Sequence, residues 1–442
     1  MARRTPFLIA VSSLALLGCT SLGAGVPVAS TAQQLSPTGT SPWREDFGDP
    51  ALRALLRRAD LASLDVKAAL NRLAYTNAQV QIARATQSPQ VGIGAGGAVG
   101  DDTSVNLRAR AAPYVSATYE LDLWGRIERG VKASQADRLS AVSDVEAARL
   151  LLGAEVARSF LNLRASEAIL RSQWVRRGSM DQVIKLTEAR RREGKISGED
   201  AAARRQALHD LDIEITNVQL TSELARIKIS ALLGSRDRFT PSVGSGDWPQ
   251  VGPTPKISSD QVDQRPDVMA AYHRLEAADH RRAETVAATR PRFTLSLSAG
   301  AADPSVVNLL DARSLIWAAA ADISYAFSDG GAKTGRIKAA EAEADLADLA
   351  YRATVVRAWS EAQSALRQAD AAEADLELEQ ANLLAARRSL KRVQSRHQAG
   401  LTNGIDLSIA EEQAQRGEIA MINAQFKVCS SRIDLALAAP QL

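Results

Sequence analysis

The sequence repeats itself once, and the spacing between the two copies is kept over long distances. Tyr119 and Tyr325 are 206 positions apart. Further upstream, residues 65–74 align with residues 267–276 at an offset of 202, and six of the ten positions are identical. The offset changes by four between about residues 90 and 118, a change that a loop of different length absorbs. The chain is therefore predicted to be a tandem duplication of one structural unit.

Each copy contains an uninterrupted helical segment of unusual length. Residues 127–193 and 333–398 contain no proline, and at about 1.5 Å per residue such a helix is roughly 100 Å long. In the second copy, small residues recur at spacings of three and four from Ile337 to Leu376, the pattern of a coiled coil with one stutter. An alanine seam buries little apolar area. A closed ring of helices is therefore predicted to be more stable than one isolated pair.

Two segments of alternating sequence precede each long helix. The predicted strands cover about residues 90–100 and 114–123 in the first copy, and 292–301 and 316–327 in the second. Their length suits a tilted strand that crosses a membrane. A sheet edge cannot face hydrocarbon, so four such strands need partners from other chains; eight strands leave a filled interior, whereas twelve leave a conduit. Two soluble hairpins on a helical protein remain the alternative.

A glycine-containing turn follows each long helix and leads into a shorter return helix. Gly194 and Gly400 lie at these turns, again 206 positions apart, and are predicted to be left-handed helix C-caps. The return helices are predicted at about residues 197–233 and 403–438.

Composition places the remaining boundaries. Asp49 and Pro50 are suited to cap and open a first helix, which continues to about Thr86 with a break near Leu64. The Gly- and Pro-rich stretch between the copies excludes regular helix. The predicted organisation is a signal peptide at 1–18, a linker at 19–48, a first repeat at 49–234, a crossover at 235–262 and a second repeat at 263–442.

The N-terminus has the pattern of a targeting segment. Arg3 and Arg4 precede an apolar run that is too short to span a bilayer. That run ends at L-L-G followed by Cys19, which resembles a bacterial lipobox, so Cys19 is predicted to be lipidated and to become the mature N-terminus. Thr20 stands where an aspartate would retain a lipoprotein in the inner membrane. An ordinary signal peptide with a chance cysteine remains the alternative.

Charge and composition exclude several classes of function. The net charge of +3 over 442 residues is too small to favour nucleic acid. The two cysteines form no disulfide framework, and the four histidines lack metal-ligand spacing. The sequence contains no catalytic grouping and no phosphate-binding loop, so no enzyme activity, cofactor or metal is expected.

Three motifs resemble one family across essentially the whole chain. They are W-R-E-D-F-G-D-P-A-L at 43–52, Y-E-L-D-L-W-G-R at 119–126 and R-P-D-V at 265–268. Together with the lipobox and the two glycine turns, they resemble the outer-membrane efflux family of TolC-like channel-tunnels, in its NodT-type lipoprotein branch. The resemblance implies a mainly α fold and a homotrimer, in which a twelve-stranded outer-membrane β-barrel continues into a twelve-helix periplasmic tunnel.

The resemblance also implies a function. The chain is expected to be the passive exit duct of a tripartite efflux system, which receives drugs or other small molecules from a periplasmic adaptor and an inner-membrane RND-type pump. A type I protein-secretion outlet of the same fold is the alternative within this class. A periplasmic coiled-coil scaffold lipoprotein without a pore is the alternative from another class.

The family pattern carries over to three groups of residues. The helix tips expected to contact the adaptor are at Gly194, Lys195, Gly400 and Leu401. The closed periplasmic entrance is expected at Ile405, Asp406 and Ile409. The family often has an acidic residue where Ile409 stands, so an apolar constriction is expected here instead of an acidic ring, with Asp406 paired to Arg204 or Arg205 of another chain. Glu120 and Asp122 are expected to be lumen-facing acids at the base of the barrel. Hydrogen bonding at the barrel base is the favoured structural role for these two acids.

Overall fold

The computed structural model describes residues 47–98, 110–236, 248–249, 252, 254, 257–301 and 315–440. These residues belong to a compact unit that spans Ser41–Leu442. The predicted signal peptide, the lipidation site Cys19 and most of the linker and crossover lie outside the described residues.

The described residues form eight α-helices and four β-strands. In chain order they are α1 (Pro50–Ala62), α2 (Leu64–Ala85), β1 (Gln90–Ala98), β2 (Arg110–Leu121), α3 (Arg126–Arg192), α4 (Gly198–Leu232), α5 (Ser259–Asp263), α6 (Pro266–Ala287), β3 (Arg292–Ala301), β4 (Leu315–Ser324), α7 (Ala332–Gln398) and α8 (Gly404–Ala438).

The internal duplication is visible in the helix lengths. Helices α3 and α7 each contain 67 residues, α4 and α8 each contain 35, and α2 and α6 each contain 22. Both ends of α3 and α4 lie 206 positions before the corresponding ends of α7 and α8. The predicted bounds of these four helices differ from the observed ones by one residue at most.

The first helical stretch is divided in two where the break near Leu64 was predicted. The carboxylate of Asp49 caps α1 by accepting from the backbone N–H groups of Ala51 (2.8 Å) and Leu52 (3.3 Å). Ser63 separates α1 from α2, and its Oγ accepts from the N–H of Val66 at 3.5 Å. Side-chain caps of this kind satisfy backbone donors that have no partner within the helix.

The four strands form one antiparallel sheet in the order β1–β2–β3–β4. Cross-strand pairing places the row Val91, Ala117, Leu297 and Ala319 on one face. Neighbouring rows on that face carry Val115, Tyr119, Leu121, Phe293, Leu295, Trp317 and Ile323, whereas the opposite face carries Ser116, Thr118, Glu120, Thr294, Ser296, Ser298 and Asp322. The predicted alternation therefore produces an amphipathic sheet. Within the described residues, β1 and β4 each have a backbone partner on one side only.

The predicted ends of two strands are wrong. Strand β4 ends at Ser324, so Tyr325 and Phe327 lie outside it, and β2 begins at Arg110, four residues earlier than expected. The partner strand β3 begins at Arg292, whose register partner is Ser324, so the sheet offers no backbone partner beyond that point. The last predicted residues of the first strand, 99–100, lie outside the described residues.

Helix α3 is the centre of the helical packing. It packs against α2 and α6 in one half of its length and against α4 and α8 in the other, while α7 packs against α6 and α8. Apolar side chains from α1, α3, α4 and α8 meet in a core that contains Leu52, Leu55, Phe160, Leu163, Ile229, Cys429 and Ile433. The rows of adjacent helices are therefore α2–α3–α6–α7 and α4–α3–α8–α7.

The predicted small-residue seam of α7 is confirmed. Its buried members are Ala340, Ala344, Ala358, Ala362, Ala365, Ala369 and Ala372. These alanines allow α8, α6 and the short α5 to approach closely, with Val262, Val268 and Leu435 packed against them. In the part of the chain that the structure describes, no helix is both long and apolar enough to cross a membrane.

Candidate helix tips and tunnel entrance

The turn between α3 and α4 is closed by a glycine cap. Gly194 has a φ of 70°, and its N–H donates to the carbonyl of Arg191 at 2.9 Å, while the N–H of Lys195 donates to that of Arg190 at 2.9 Å. These two bonds form a Schellman motif, which requires a left-handed residue. Ser197 then caps α4, since its Oγ accepts from the N–H of Asp200 at 3.0 Å.

The turn between α7 and α8 repeats this arrangement. Gly400 has a φ of 72°, and the N–H groups of Gly400 and Leu401 donate to the carbonyls of His397 (2.9 Å) and Arg396 (2.8 Å). Asn403 caps α8 because its Oδ1 accepts from the N–H groups of Ile405 (2.8 Å) and Asp406 (2.9 Å). The left-handed C-cap conformation predicted at Gly194 and Gly400 is therefore confirmed.

The tip residues named from the family pattern are accessible in the chain. The side chain of Lys195 is 70% exposed and forms an ion pair with Glu193 at 2.8 Å, and Leu401 is also 70% exposed. A Cβ atom added at Gly194 or Gly400 would meet no atom within 4 Å. One tip thus presents a charged residue and the other an apolar one at equivalent positions.

The predicted entrance residues lie in the first two turns of α8. Ile405 is partly buried and Ile409, one turn further, is 39% exposed. Asp406 accepts a 2.6 Å hydrogen bond from the Thr402 hydroxyl, so its carboxylate is engaged in its own turn. Ile405 and Ile409 share one face of the helix because they are four residues apart.

Arg205, one of the two expected partners of Asp406, already has a partner in its own chain. Its guanidinium donates to Glu188 on α3, with an Nε–Oε1 distance of 3.0 Å. The hydrogen bond from Arg205, assisted by that from Arg191, holds the pKa of Glu188 below its usual range. The Arg205–Glu188 bond ties α4 to α3 next to the tip.

Above the tips, a buried arginine joins three helices. Arg176 on α3 donates to Glu412 on α8 at 2.9 Å and to Glu214 on α4 at 3.0 Å. Its side chain is only 8% exposed. One turn away, the hydroxyl of Ser172 donates to Gln415 on α8. These contacts attach α8 to α3 in the part of the helical region that lies towards the helix tips.

Sequence reasoning missed Arg176. Helical periodicity places it on the face of α3 that also carries Gln173 and Met180, both buried, and a charged residue on such a face is a signal of a specific partner. The pattern does not show that the partner lies on α8, because Glu412 is 236 positions away.

The acids at the base of the sheet are hydrogen-bonded. Both oxygens of Glu120 accept from the guanidinium of Arg126 at 2.9 Å, and Arg292 lies 3.6 Å away. Asp122 accepts from the backbone N–H of Glu128 at 2.8 Å and so caps the start of α3. These contacts match the favoured structural role. Glu120 lies on the polar face of the sheet, the face expected to line the lumen.

The buried cysteine is chemically quiet. Cys429 is 2% exposed within the core between α1, α3, α4 and α8. Burial raises the pKa of its thiol to about 12. The reactive form of a cysteine is the thiolate, so this thiol serves as a small packing group at neutral pH.

The duplicated pairs of long helices beneath an amphipathic four-stranded sheet define the class of outer-membrane channel-tunnels. The chain belongs to the outer membrane efflux protein family, whose model matches residues 55–235 and 257–439. It is therefore an outer-membrane component of an efflux system.

Individual relatives agree with this assignment. Outer membrane protein OprJ of Pseudomonas aeruginosa is 26% identical, with 92% of this chain and 87% of that protein covered. Probable outer membrane lipoprotein SilC of Salmonella typhimurium is 24% identical, covering 98% of this chain and 97% of that protein.

Solved structures show the same fold. The outer-membrane channel OprN superposes with a TM-score of 0.82 at 24% identity, covering 91% of this chain and 92% of that one. The outer membrane protein VceC of Vibrio cholerae superposes with a TM-score of 0.79 at 22% identity, covering 90% and 98%.

Proposed function

We propose that three copies of this chain form one continuous duct, with a twelve-stranded barrel in the outer membrane above a tunnel of twelve helices. The observation that carries this proposal is the four-stranded sheet, which has one apolar face and an unpartnered edge on both β1 and β4 among the described strands. Such a sheet is stable in hydrocarbon only when its edges are paired. Three copies supply enough strands for an open lumen.

The duct conducts drugs or other small molecules passively. The relatives include a toluene efflux pump outer membrane protein, TtgC, and an antibiotic efflux pump outer membrane protein, ArpC, both of Pseudomonas putida. This chain contains no nucleotide-binding motif, so the energy comes from an inner-membrane RND-type pump, joined to the duct by a periplasmic adaptor. Protein secretion through the same fold is the second candidate, and among the described residues no contact favours it.

The adaptor contacts the helix tips. Gly194 and Gly400 form tight turns that present Lys195 and Leu401 to the periplasm, both largely exposed. The two tips have the same backbone geometry and different chemistry, so they bind two different surfaces of the adaptor.

The entrance is closed by apolar rings. Three copies of Ile405 and Ile409 around an axis form two stacked rings, and a narrow apolar constriction stops ions by dewetting. Asp406 lies beside the rings and is held by Thr402. The exposed surface of Ile409, 39% of the residue in one chain, supports this arrangement.

Cys19 carries the lipid anchor. Acyl chains on Cys19 hold the N-terminus at the outer membrane, while the sheet inserts independently. The lipobox pattern supports this role, and the relative SilC, a probable outer membrane lipoprotein, is consistent with it.

One experiment tests the duct itself. The protein is extracted in detergent, its mass is measured by native mass spectrometry, and it is reconstituted in planar bilayers. A trimer that conducts ions after the entrance is opened supports the proposal. A stable monomer that retains its β-sheet by circular dichroism, or a trimer without conductance in any entrance variant, contradicts it and favours the scaffold alternative.

A further inference from the structure

Three arginines meet in a groove at the end of the sheet. Arg129 on α3, Arg282 on α6 and Arg290 just after α6 line an open groove of about 500 Å³ between these two helices and α7. The groove begins where the sheet ends, because Trp124 is three residues beyond β2 and also lines it. The indole N–H of Trp124 donates to the carbonyl of Pro291, directly before β3, at 2.8 Å.

The groove has a net positive charge. Its lining contains the three guanidiniums and one carboxylate, that of Glu341 on α7. Arg282 also pairs with Asp279 at 3.1 Å, and the side chains of this pair are 47% and 49% exposed, so solvent screens their interaction. Three positive charges therefore stand against two negative ones. Guanidinium groups are well suited to bind the oxygens of a phosphate.

Apolar surface lies beside these charges. Trp124 is 45% exposed and Val286 is 39% exposed, and the guanidinium of Arg290 lies 5.7 Å from the centre of the Trp124 ring. The last apolar row of the sheet contains Leu121 and Phe293, which are only two or three positions from Trp124 and Pro291 along the chain. In the proposed barrel, the cationic groups thus lie at the border of the apolar surface.

The duplication shows that the fold does not require these charges. The starts of α2 and α6, and those of β1 and β3, are 202 positions apart, and the starts of α3 and α7 are 206 apart. At these offsets the counterparts of Trp124, Arg129, Arg282 and Arg290 are Gly330, Gly335, Val80 and Ser88. None of the four counterparts is charged or aromatic. A ligand gives the arginines a role that the architecture does not.

We propose that this groove binds the headgroup of an anionic phospholipid from the membrane leaflet next to the helices. This inference rests on the proposed barrel, which places the end of the sheet at the membrane surface. The guanidiniums bind the phosphate oxygens, and Trp124 lies at the level of the headgroups, where tryptophan is enriched in membrane proteins. Basic pockets between helices at a membrane surface bind acidic lipids through the same chemistry. The bound lipids fix the depth of the barrel in the membrane.

Native mass spectrometry of the trimer in detergent tests the site. Phosphatidylglycerol, phosphatidylcholine and inorganic phosphate are added separately at equal concentrations. We expect phosphatidylglycerol to bind selectively, with one molecule for each subunit. In the variant Arg129→Gln/Arg282→Gln/Arg290→Gln, its affinity should fall by about a hundredfold, roughly fivefold for each arginine.

A matched control removes the same charge far from the groove. The variant Arg387→Gln/Arg388→Gln/Arg392→Gln replaces three exposed arginines of α7. They begin about 70 Å along the helix from Glu341. This variant should bind phosphatidylglycerol with the affinity of the unmodified protein.

Fluorescence quenching shows where the lipid binds. Tryptophan emission is recorded in vesicles whose phosphatidylglycerol or phosphatidylcholine is brominated in the acyl chains. We expect brominated phosphatidylglycerol to quench more strongly, and the difference should disappear in Trp124→Phe. This measurement uses the unmodified protein and one conservative variant, so it tests the site even if the triple arginine variant fails to assemble.

The outcomes separate this inference from the proposed function. A conducting trimer that binds the two lipids equally, or in which inorganic phosphate replaces phosphatidylglycerol, overturns the lipid site and leaves the duct intact. The same holds if the control variant loses as much affinity as the groove variant, or if quenching does not depend on Trp124. A native monomer, or a trimer without conductance in any entrance variant, overturns the proposed function itself.

Discussion

The guanidinium of Arg176 and the carboxylate of Glu412 form a 2.9 Å ion pair that connects α3 to α8. The same guanidinium binds Glu214 on α4 at 3.0 Å. One side chain therefore fixes the positions of three helices a few turns above the helix tips. A buried charge that loses its partner destabilises the folded state. Separation of α8 or α4 from α3 would remove one of the two partners of Arg176, so this residue holds the three helices together.

Replacement of Arg176 should destabilise the packing of α3, α4 and α8 near the helix tips. Arg176→Met removes the buried partner of Glu412, whose side chain is mostly covered and keeps only the exposed Arg416 at 2.7 Å. We expect a loss of about 3 kcal/mol in the free energy of unfolding, measured by chemical denaturation in detergent. The control is the adjacent Arg177→Met, whose ion pair with Asp212 is 38% and 41% exposed and is therefore screened by solvent, so a clearly smaller loss is expected. Equal effects of the two variants would show that Arg176 is not a special link.

The glycine caps should be sensitive to a single methyl group. Gly194→Ala places a Cβ on a residue with a φ of 70°, which costs about 1 kcal/mol. We expect faster limited proteolysis at the first tip. Gly198→Ala, four residues on in the first turn of α4, meets no atom within 4 Å and needs no left-handed residue, so it should leave the cleavage rate unchanged or lower it.

The apolar rings should control conductance. Ile405→Ser/Ile409→Ser makes the proposed constriction polar, so water and ions enter it more readily. We expect a higher single-channel conductance in planar bilayers and greater sensitivity of cells to large antibiotics. The duplication supplies the control, Glu199→Ser/Ala203→Ser, at the equivalent positions of α4. If only the control pair raises conductance, the entrance is lined by the other tip.

The contribution of Glu188 should disappear in acid. Its folded-state pKa is lowered, mainly by Arg205, so the stabilisation is present above the unfolded-state pKa and is lost as the pH falls through the folded-state value. We expect Glu188→Gln to lower the melting temperature at neutral pH and to match the unmodified protein at low pH. A difference that persists unchanged at low pH would mean that charge is not the cause.

The proposed lipid anchor should affect targeting more than conduction. In Cys19→Ser the acyl chains are absent, while the sheet that inserts into the membrane is unchanged. We expect mass spectrometry of the mature N-terminus to show an acylated cysteine in the unmodified protein. In the variant, we expect less protein in the outer membrane with the same conductance per channel. An unmodified N-terminus at another position would refute the lipobox assignment.

Local signals predicted the long helices well, for reasons visible at their ends. Residues 127–193 and 333–398 contain no proline before a glycine turn, and the structure places left-handed Gly194 and Gly400 at those turns. Strand ends were predicted less well. The end of β4 depends on where β3 begins, at Arg292, and alternation within β4 contains no information about its partner.

At the helix tips and entrance, too, short-range contacts could be predicted from the sequence and long-range contacts could not. The capping geometry of both tips follows from short-range sequence, as does the hydrogen-bonded state of Asp122, whose partner is six positions away. The link from Arg176 to Glu412 spans 236 positions, so it exists only once the helices are packed. Contacts of that kind are a property of the tertiary structure, and periodicity in one helix indicates only that a partner is needed.

Helices α3 and α7 are equally long, and so are α4 and α8. The two repeats therefore place their helix tips at the same distance from the sheet-proximal ends of α3 and α7. An insertion in one repeat would displace its tip by about 1.5 Å per residue along the duct and rotate its seam by about 100° per residue. The same insertion in both repeats would shift the two tips together, and an insertion of seven residues would also restore the seam. The helical part can therefore change its length with both tips level and both seams intact only when the two repeats change together and by whole coiled-coil repeats.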